Sequence, residues 1–405
     1  MMPSHQPTTP STHGKLVVAH TSTHTETTPH LSSEKTFKWI SEVLSPPRED
    51  SSLKDNTLKM DVIGCSICGS DLEKLRYREC PEGTVLGHEL VVKSSTPLTV
   101  RNITYPAGQH FAMAHHVPCG VCHQCLSGAE SMCHSFKKSN VYPGGFASSV
   151  WVSQAHLDHV MFAVPEGFPE AWASCVEPLG CVVRGVQRGM ALLPTGMPQN
   201  IHQGLGHKPV ALVIGLGFIG LLACQVYQAY GFDVVAVEPL ASRRALVEAS
   251  GWVVKAYAPE ALETLPAWLH TQGYFSAVDQ AFFTVMRESV WQSVLPVLKQ
   301  GATGIVFASA LGDTQTEGFI DPSVLYFREI SLISTYSPSL ASLEEAAHLL
   351  WSGKVTLKGI LTHELPMQEG AKGLALYTAH EAIKVFLKVD PSIHLTHEEH
   401  RHGIN

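Results

Sequence analysis

The sequence predicts an α/β protein of two domains, a β-rich one followed by a doubly wound parallel sheet. Three observations carry this prediction. Strand-like and helix-like runs alternate over residues 210–335, a glycine-rich turn follows the first of those strands, and short β-type segments broken by Pro, Gly and Ser precede them. The 405 residues exceed one ordinary core, and 44% hydrophobic content supplies enough apolar side chain for two.

Taken in order, residues 1–34 are rich in Thr, Ser, His and Pro and lack the apolar run of a secretory leader, so a disordered tail is expected. Segments such as 59–63 and 85–93 then predict a barrel-type or mixed β region. A cysteine-rich lobe, 115–135, interrupts it before strand character returns at 146–152 and 160–164. A helix is expected over 170–188, and the Pro- and Gly-rich stretch 193–209 marks a junction. The expected domains are therefore 35–188 and 189–337, with a return to the first over 338–390. Strands are expected at 210–214, 233–237, 277–279, 304–308, 330–334 and 382–388, and a helix at 343–352. Residues 391–405 read as a polar, His-rich tail.

The net charge of −8, from 28 basic and 36 acidic side chains, gives no general attraction to phosphate backbones or anionic lipid. Nucleic acid and membrane are thus not expected partners. The stretch 210–226 is apolar enough to suggest a membrane span, but Gly215, Gly217 and Gly220 interrupt it in a pattern with a better soluble explanation. Most of the ten cysteines fall between Cys65 and Cys133 at spacings that suit metal better than crosslinks, which predicts a reducing, cytoplasmic setting.

Cys119, Cys122, Cys125 and Cys133 form C-x2-C-x2-C-x7-C, close enough for four thiolates to converge on one tetrahedral ion. Four sulfurs leave no open position, so the site is expected to be structural. An iron–sulfur cluster or a redox pair would also use short spacings; zinc is favoured by its preference for closed four-thiolate sites.

Gly215, Gly217 and Gly220, with Phe218 and Ile219 between the last two, follow an apolar strand and open a helix-like run. Such glycines permit a tight turn, and the helix N-terminus offers amide donors to a pyrophosphate. Glu238 ends the next strand, where a carboxylate accepts ribose hydroxyls and repels a 2′-phosphate; NAD is favoured over NADP. Arg243 and Arg244 follow as the side chains that would receive that phosphate instead.

Upstream, Cys68-Gly-Ser70-Asp71 and Gly87-His88-Glu89 supply a soft thiolate, an imidazole and a carboxylate. In this order, GxxxCGSD, GHE, the four-cysteine lobe, a Glu-Pro helix and GLGFIG resemble the zinc-dependent medium-chain, alcohol dehydrogenase-like family over residues 37–389. Cys175-Val-Glu177-Pro-Leu-Gly is most similar to the polyol (sorbitol) and threonine dehydrogenase branch. The resemblance implies a GroES-like catalytic domain, a Rossmann domain and a homodimer or homotetramer. It further implies two zinc ions per chain, the catalytic one held by Cys68, His88 and either Glu89 or Glu177.

The implied reaction oxidises a small secondary alcohol to a ketone as hydride passes to NAD, with the cation favouring the alkoxide. Ser70 matches the family's hydroxyl relay, and Asp71 is expected to orient the metal-binding imidazole, the rival role being helix capping. Where the family often has histidine this chain has Glu73, which either substitutes for it or leaves the role to solvent. On one helix Cys175 and Glu177 lie about 200° apart and cannot share an ion; Cys181 is a weaker rival, and Cys65 reads as packing. Glu73 and the stretch after Glu89, which lacks the family's usual glycine, also motivate an alternative, a catalytically silent NAD sensor or zinc-stabilised binding protein.

Overall fold

The computed structural model describes residues 14–21, 34–42, 44–47, 57–77, 80–193, 208–274, 277–285, 287–308 and 320–389. The polar tail expected at 391–405 lies outside them. Contacts divide the chain into two units, Met1–Val176 with Leu361–Asn405, and Glu177–Ile360.

The first unit opens with a correction to the expected tail. Gly14–Thr21 (β1) is a strand, paired antiparallel with Glu34–Ser41 (β2). Its apolar core decides this: Leu16 and Val18 alternate inward and join Phe37 in the buried cluster, which outweighs the polar composition around them. Next come β3 (Leu58–Ile67), the helix α1 (Gly69–Tyr77), β4 (Glu89–Lys93), β5 (Leu98–Val100), β6 (Ile103–Tyr105) and β7 (His110–Ala114). β8 (Ser149–Val152) and β9 (Met161–Ala163) follow the cysteine lobe.

The helix expected over 170–188 is broken into Glu170–Ala173 and α2 (Val176–Met190). Pro178 is the reason: it has no N–H and tolerates only the first turn of a helix, so the helix restarts just ahead of it.

The second unit holds β10 (Val210–Ile214), α3 (Phe218–Ala229), β11 (Asp233–Val237), α4 (Ala241–Ala249) and β12 (Lys255–Tyr257). It continues with β13 (Val278–Phe283), β14 (Leu298–Val306), β15 (Ser331–Ser334) and α5 (Leu340–Trp351). Its six strands run in the order β12-β11-β10-β13-β14-β15, every pair parallel. The order reverses between β10 and β13, and ligands of such sheets bind at the carboxyl ends of the strands beside that switch. The apolar stretch 210–226 is thus a buried strand and a buried helix; among the described residues no helix is long and apolar enough to cross a membrane.

α2 and α5 fall in the second unit, whereas the sequence suggested breaks at 188/189 and 337/338. Small residues on α2 explain its allegiance. Cβ atoms at Gly180, Gly185 and Gly189 would come within 3.0, 3.0 and 2.9 Å of Leu343, Phe282 and Gln280. Arg184 also donates at 3.0 Å to the carbonyls of both Tyr336 and Ser337.

The chain then returns to the first unit through β16 (His363–Pro366), α6 (Gly370–Thr378) and β17 (Val385–Lys388). The sheet there runs β16-β17-β3-β4-β7-β9, with β8 also paired to β3. β3 is central and buried from Val62 onward, so its end delivers Cys68 and α1 to a fixed position.

Candidate functional site

In the second unit Gly215 has φ of 87°, a left-handed conformation that glycine adopts without strain, and its N–H donates to Val237 O at 2.8 Å. A Cβ at Gly220 would lie 1.8 Å from Gly215 O, so the turn and α3 meet only because that residue has no side chain. Gly217 caps α3, Phe218 begins it with its side chain buried, and Ile219 is half-buried. Glu238 lies at the end of β11, 4% exposed. Its carboxylate accepts the N–H groups of Leu216 at 2.7 Å and Leu240 at 3.0 Å. Arg243 is half-buried on α4, while Arg244 turns back to the carbonyls of Glu238 (2.6 Å) and Pro239 (2.8 Å).

In the first unit the thiols of Cys119, Cys122, Cys125 and Cys133 lie within 4.8 Å of one another. Cys125 Sγ is 3.6 Å from Cys122 Sγ and 3.9 Å from Cys119 Sγ. Zinc–sulfur bonds of about 2.3 Å in a tetrahedron require sulfur separations of about 3.8 Å, so the set fits the ion. Cys119 N–H donates to Cys133 Sγ at 3.4 Å. Against burial, which raises a thiol, that donor and Ser135 N–H bring Cys133 down to about 6. Such a thiol gives up its proton readily to a metal.

A second group of ligand atoms, from Cys68, His88 and Glu89, also falls within 4.8 Å. The end of β3, the loop before β4 and β4 itself bring them together. Ser70 Oγ stands 3.4 Å from Cys68 Sγ and 3.2 Å from His88 Nε2. Asp71 uses one oxygen to accept Cys68 N–H at 3.1 Å and sets the other 3.4 Å from His88 Nδ1. Asp71 is fully buried, with one carboxylate oxygen on the backbone before α1 and the other beside the His88 ring. Glu73 is half-buried one turn beyond Ser70 on α1. Glu177 lies in the first turn of α2 in the second unit, 5% exposed, with Cys181 Sγ 3.9 Å from its Oε1. Cys175 precedes α2, and burial pushes its thiol up to about 12; Cys65 is also buried and raised by burial.

Comparison with known proteins decides the family. The model of the alcohol dehydrogenase GroES-like domain matches residues 54–164 and that of the zinc-binding dehydrogenases residues 219–352. The chain belongs to the zinc-dependent, alcohol dehydrogenase-like medium-chain dehydrogenases. It is 26% identical to D-altritol 5-dehydrogenase of Agrobacterium fabrum over 75% of this chain and 83% of that one. It is 28% identical to sorbitol dehydrogenase of Halalkalibacterium halodurans over 82% of this chain and 91% of that one. A Sinorhizobium meliloti 1021 structure, assigned as a zinc-binding dehydrogenase and solved with NADP, superposes with TM-score 0.71 at 21% identity, covering 92% of this chain and 99% of that one. The GroES-like and Rossmann architectures implied by the motifs are thus those of this dehydrogenase.

Two features beside the Cys68 group escape sequence reading. Lys384, 1% exposed, forms an ion pair with the fully buried Glu89. Burial pushes the Glu89 carboxyl up, and Lys384 offsets part of that rise. A lone lysine before an apolar strand gives no sequence signal for such a pair. His115 and His116 are the second, half-buried side chains immediately after β7 whose rings continue from His88. Burial opposes the charge on His88, but Asp71 and Cys68 prevail and hold its pKa well above the usual value.

Proposed function

We propose that the chain transfers hydride between a secondary alcohol, of polyol, sugar or amino-alcohol type, and NAD, giving a ketone. The observation that carries this reading is the convergence of Cys68, His88 and Glu89 beside the Ser70 hydroxyl. Relatives that act on D-altritol and sorbitol support a polyol as the substrate class.

When bound here, zinc would supply Lewis acidity toward the substrate oxygen and NAD would supply the hydride acceptor. Cys68 and His88 provide two protein ligands, with Glu89 or Glu177 as the third. Asp71, 3.4 Å from Nδ1, orients the His88 ring, whose Nε2 lies 3.2 Å from Ser70 Oγ. Ser70 Oγ, in reach of both Cys68 and His88, takes the hydroxyl proton of the alcohol and passes it on; Glu73, one turn along α1, is its acceptor or leaves that role to water. Lys384 balances the Glu89 charge inside the sheet.

In the second unit the turn at Gly215, Gly217 and Gly220 and the first amides of α3, at Phe218 and Ile219, receive the pyrophosphate. Glu238 favours NAD over NADP by charge, with Arg243 the contact for a 2′-phosphate if one binds. The four-cysteine lobe holds a second, structural zinc. The cysteines cluster at metal-ligand positions, a usage that supports a cytoplasmic setting. Among the described residues β15 has a neighbour on one side only, and pairing there would suit a homodimer or homotetramer.

Elemental analysis with NADH absorbance over a panel of polyols, amino alcohols and simple alcohols tests the proposal. Two zinc ions per chain and turnover of a secondary alcohol are expected; one zinc and no turnover would defeat the catalytic assignment.

A further inference from the structure

The short helix of the four-cysteine lobe, His123–Leu126, buries none of its residues. Val121, Leu126 and Met132, all in the lobe, are 78%, 77% and 56% exposed. A segment that buries so little apolar surface gains little from the hydrophobic effect, so bonds to the ion hold its shape. Whatever breaks those bonds opens the lobe.

The four thiols differ in access and in spacing. Cys133 is buried and accepts the N–H of Cys119, whereas Cys119, Cys122 and Cys125 are half-buried, within reach of a small solute. Cys122 Sγ lies 3.6 Å from Cys125 Sγ, against 3.9 Å between Cys119 and Cys125. Backbone conformation brings the closer pair together. Cys122 precedes the helix with extended dihedrals (φ −78°, ψ 165°), and its sulfur turns toward Cys125 in the first turn. A bond between the two closes over only two intervening residues, so little chain has to be ordered. The Cys68 group, by contrast, holds a single thiol.

We propose that Cys122 and Cys125 form a reversible oxidation site, at which a hydroperoxide closes a disulfide between them and the lobe gives up its zinc. This rests on the reading of the lobe as the second zinc site. One thiolate attacks an oxygen of hydrogen peroxide; the O–O bond breaks, and with one proton from solvent a sulfenic acid and a water result. The other thiolate attacks that sulfur, the S–O bond breaks, and a second proton carries the oxygen away as water. Two electrons thus leave the sulfurs and reduce the peroxide. Cys119 and Cys133 remain as two of four donors, too few for a closed four-thiolate site. A dithiol reverses the step by exchange, and the four donors are restored.

The test treats full-length, zinc-loaded wild type and Cys68→Ser with hydrogen peroxide. Cys68→Ser keeps only the zinc of the lobe, so a pyridylazo-resorcinol assay on it reads that ion alone, and loss of its one zinc per chain is expected. Alkylation followed by non-reducing peptide mass spectrometry should find the peptide carrying Cys122 and Cys125 two hydrogens lighter and alkylated at neither. The melting temperature should fall while NADH affinity holds, and dithiothreitol with added zinc should restore it. On the wild type the peptide measurement stands by itself should Cys68→Ser fail to fold. Retention of the ion by peroxide-treated Cys68→Ser, or a disulfide that joins another pair, overturns the inference. A folded Cys68→Ser that binds no zinc when loaded instead overturns the reading of the lobe as a zinc site, and this inference falls with it.

Discussion

Glu238 accepts the main-chain N–H of Leu216 at 2.7 Å, so the carboxylate at the end of β11 holds the glycine turn as well as facing the region proposed for ribose. Its second oxygen takes Leu240 N–H, which ties the turn to the start of α4. Glu238→Gln keeps the shape but presents an amide donor to one of two N–H groups. NADH affinity should fall about tenfold, the scale of a hydrogen bond to a charged acceptor. NADPH should lose less, because the charge that repels its 2′-phosphate is gone. Fluorescence titration of both cofactors checks this, and unchanged NADH binding would count against it.

Lys384 and Glu89 form a buried pair, and removing one partner strands the other charge in the interior. Lys384→Met is expected to cost about 3–5 kcal/mol, while Lys384→Met with Glu89→Gln recovers much of the loss. Urea unfolding of the two single variants and the double variant measures the coupling. Equal losses in the single and double variants would show that the pair is not the source.

The two cysteine groups should fail differently. Cys122→Ser removes one of four convergent thiols and should lower the melting temperature and the zinc content by one ion per chain. Cys68→Ser should abolish turnover while leaving the fold and NADH binding largely intact. Melting curves, metal analysis and NADH titration on both proteins separate the outcomes; matching losses of fold would refute the division.

His156 gives a pH dependence. Its imidazole is fully buried, with Nδ1 3.2 Å from Ser153 N–H, and burial brings its pKa down to about 4. Above about pH 6.5, the ordinary histidine value, folded and unfolded forms are both neutral. Between there and 4 the unfolded form binds a proton that the folded one does not, so stability falls as pH falls, by up to about 1.4 kcal/mol per pH unit. His156→Leu should be less stable at pH 7.5 and lose less between pH 6.5 and 4, so its gap to wild type narrows. Parallel slopes for the two proteins would show that another group titrates.

What the sequence by itself determined about this protein is local. The four cysteines, the glycine turn and the Cys68-Gly-Ser70-Asp71 run each lie within a few residues, where spacing alone limits which atoms can meet. Parallel strands such as Val210–Ile214 and Asp233–Val237 are legible because burial on both faces demands unbroken apolar runs. The tertiary structure decided whatever depends on partners distant in the chain. Composition hid β1 because Leu16 and Val18 gain their value only against Phe37. No local pattern sets Lys384 against Glu89, since β17 reaches β4 only through β3. The ladder of β4 and β7, not sequence spacing, sets His115 beside His88. Local chemistry chose the ligand types; long-range strand pairing and burial decided which other side chains surround them.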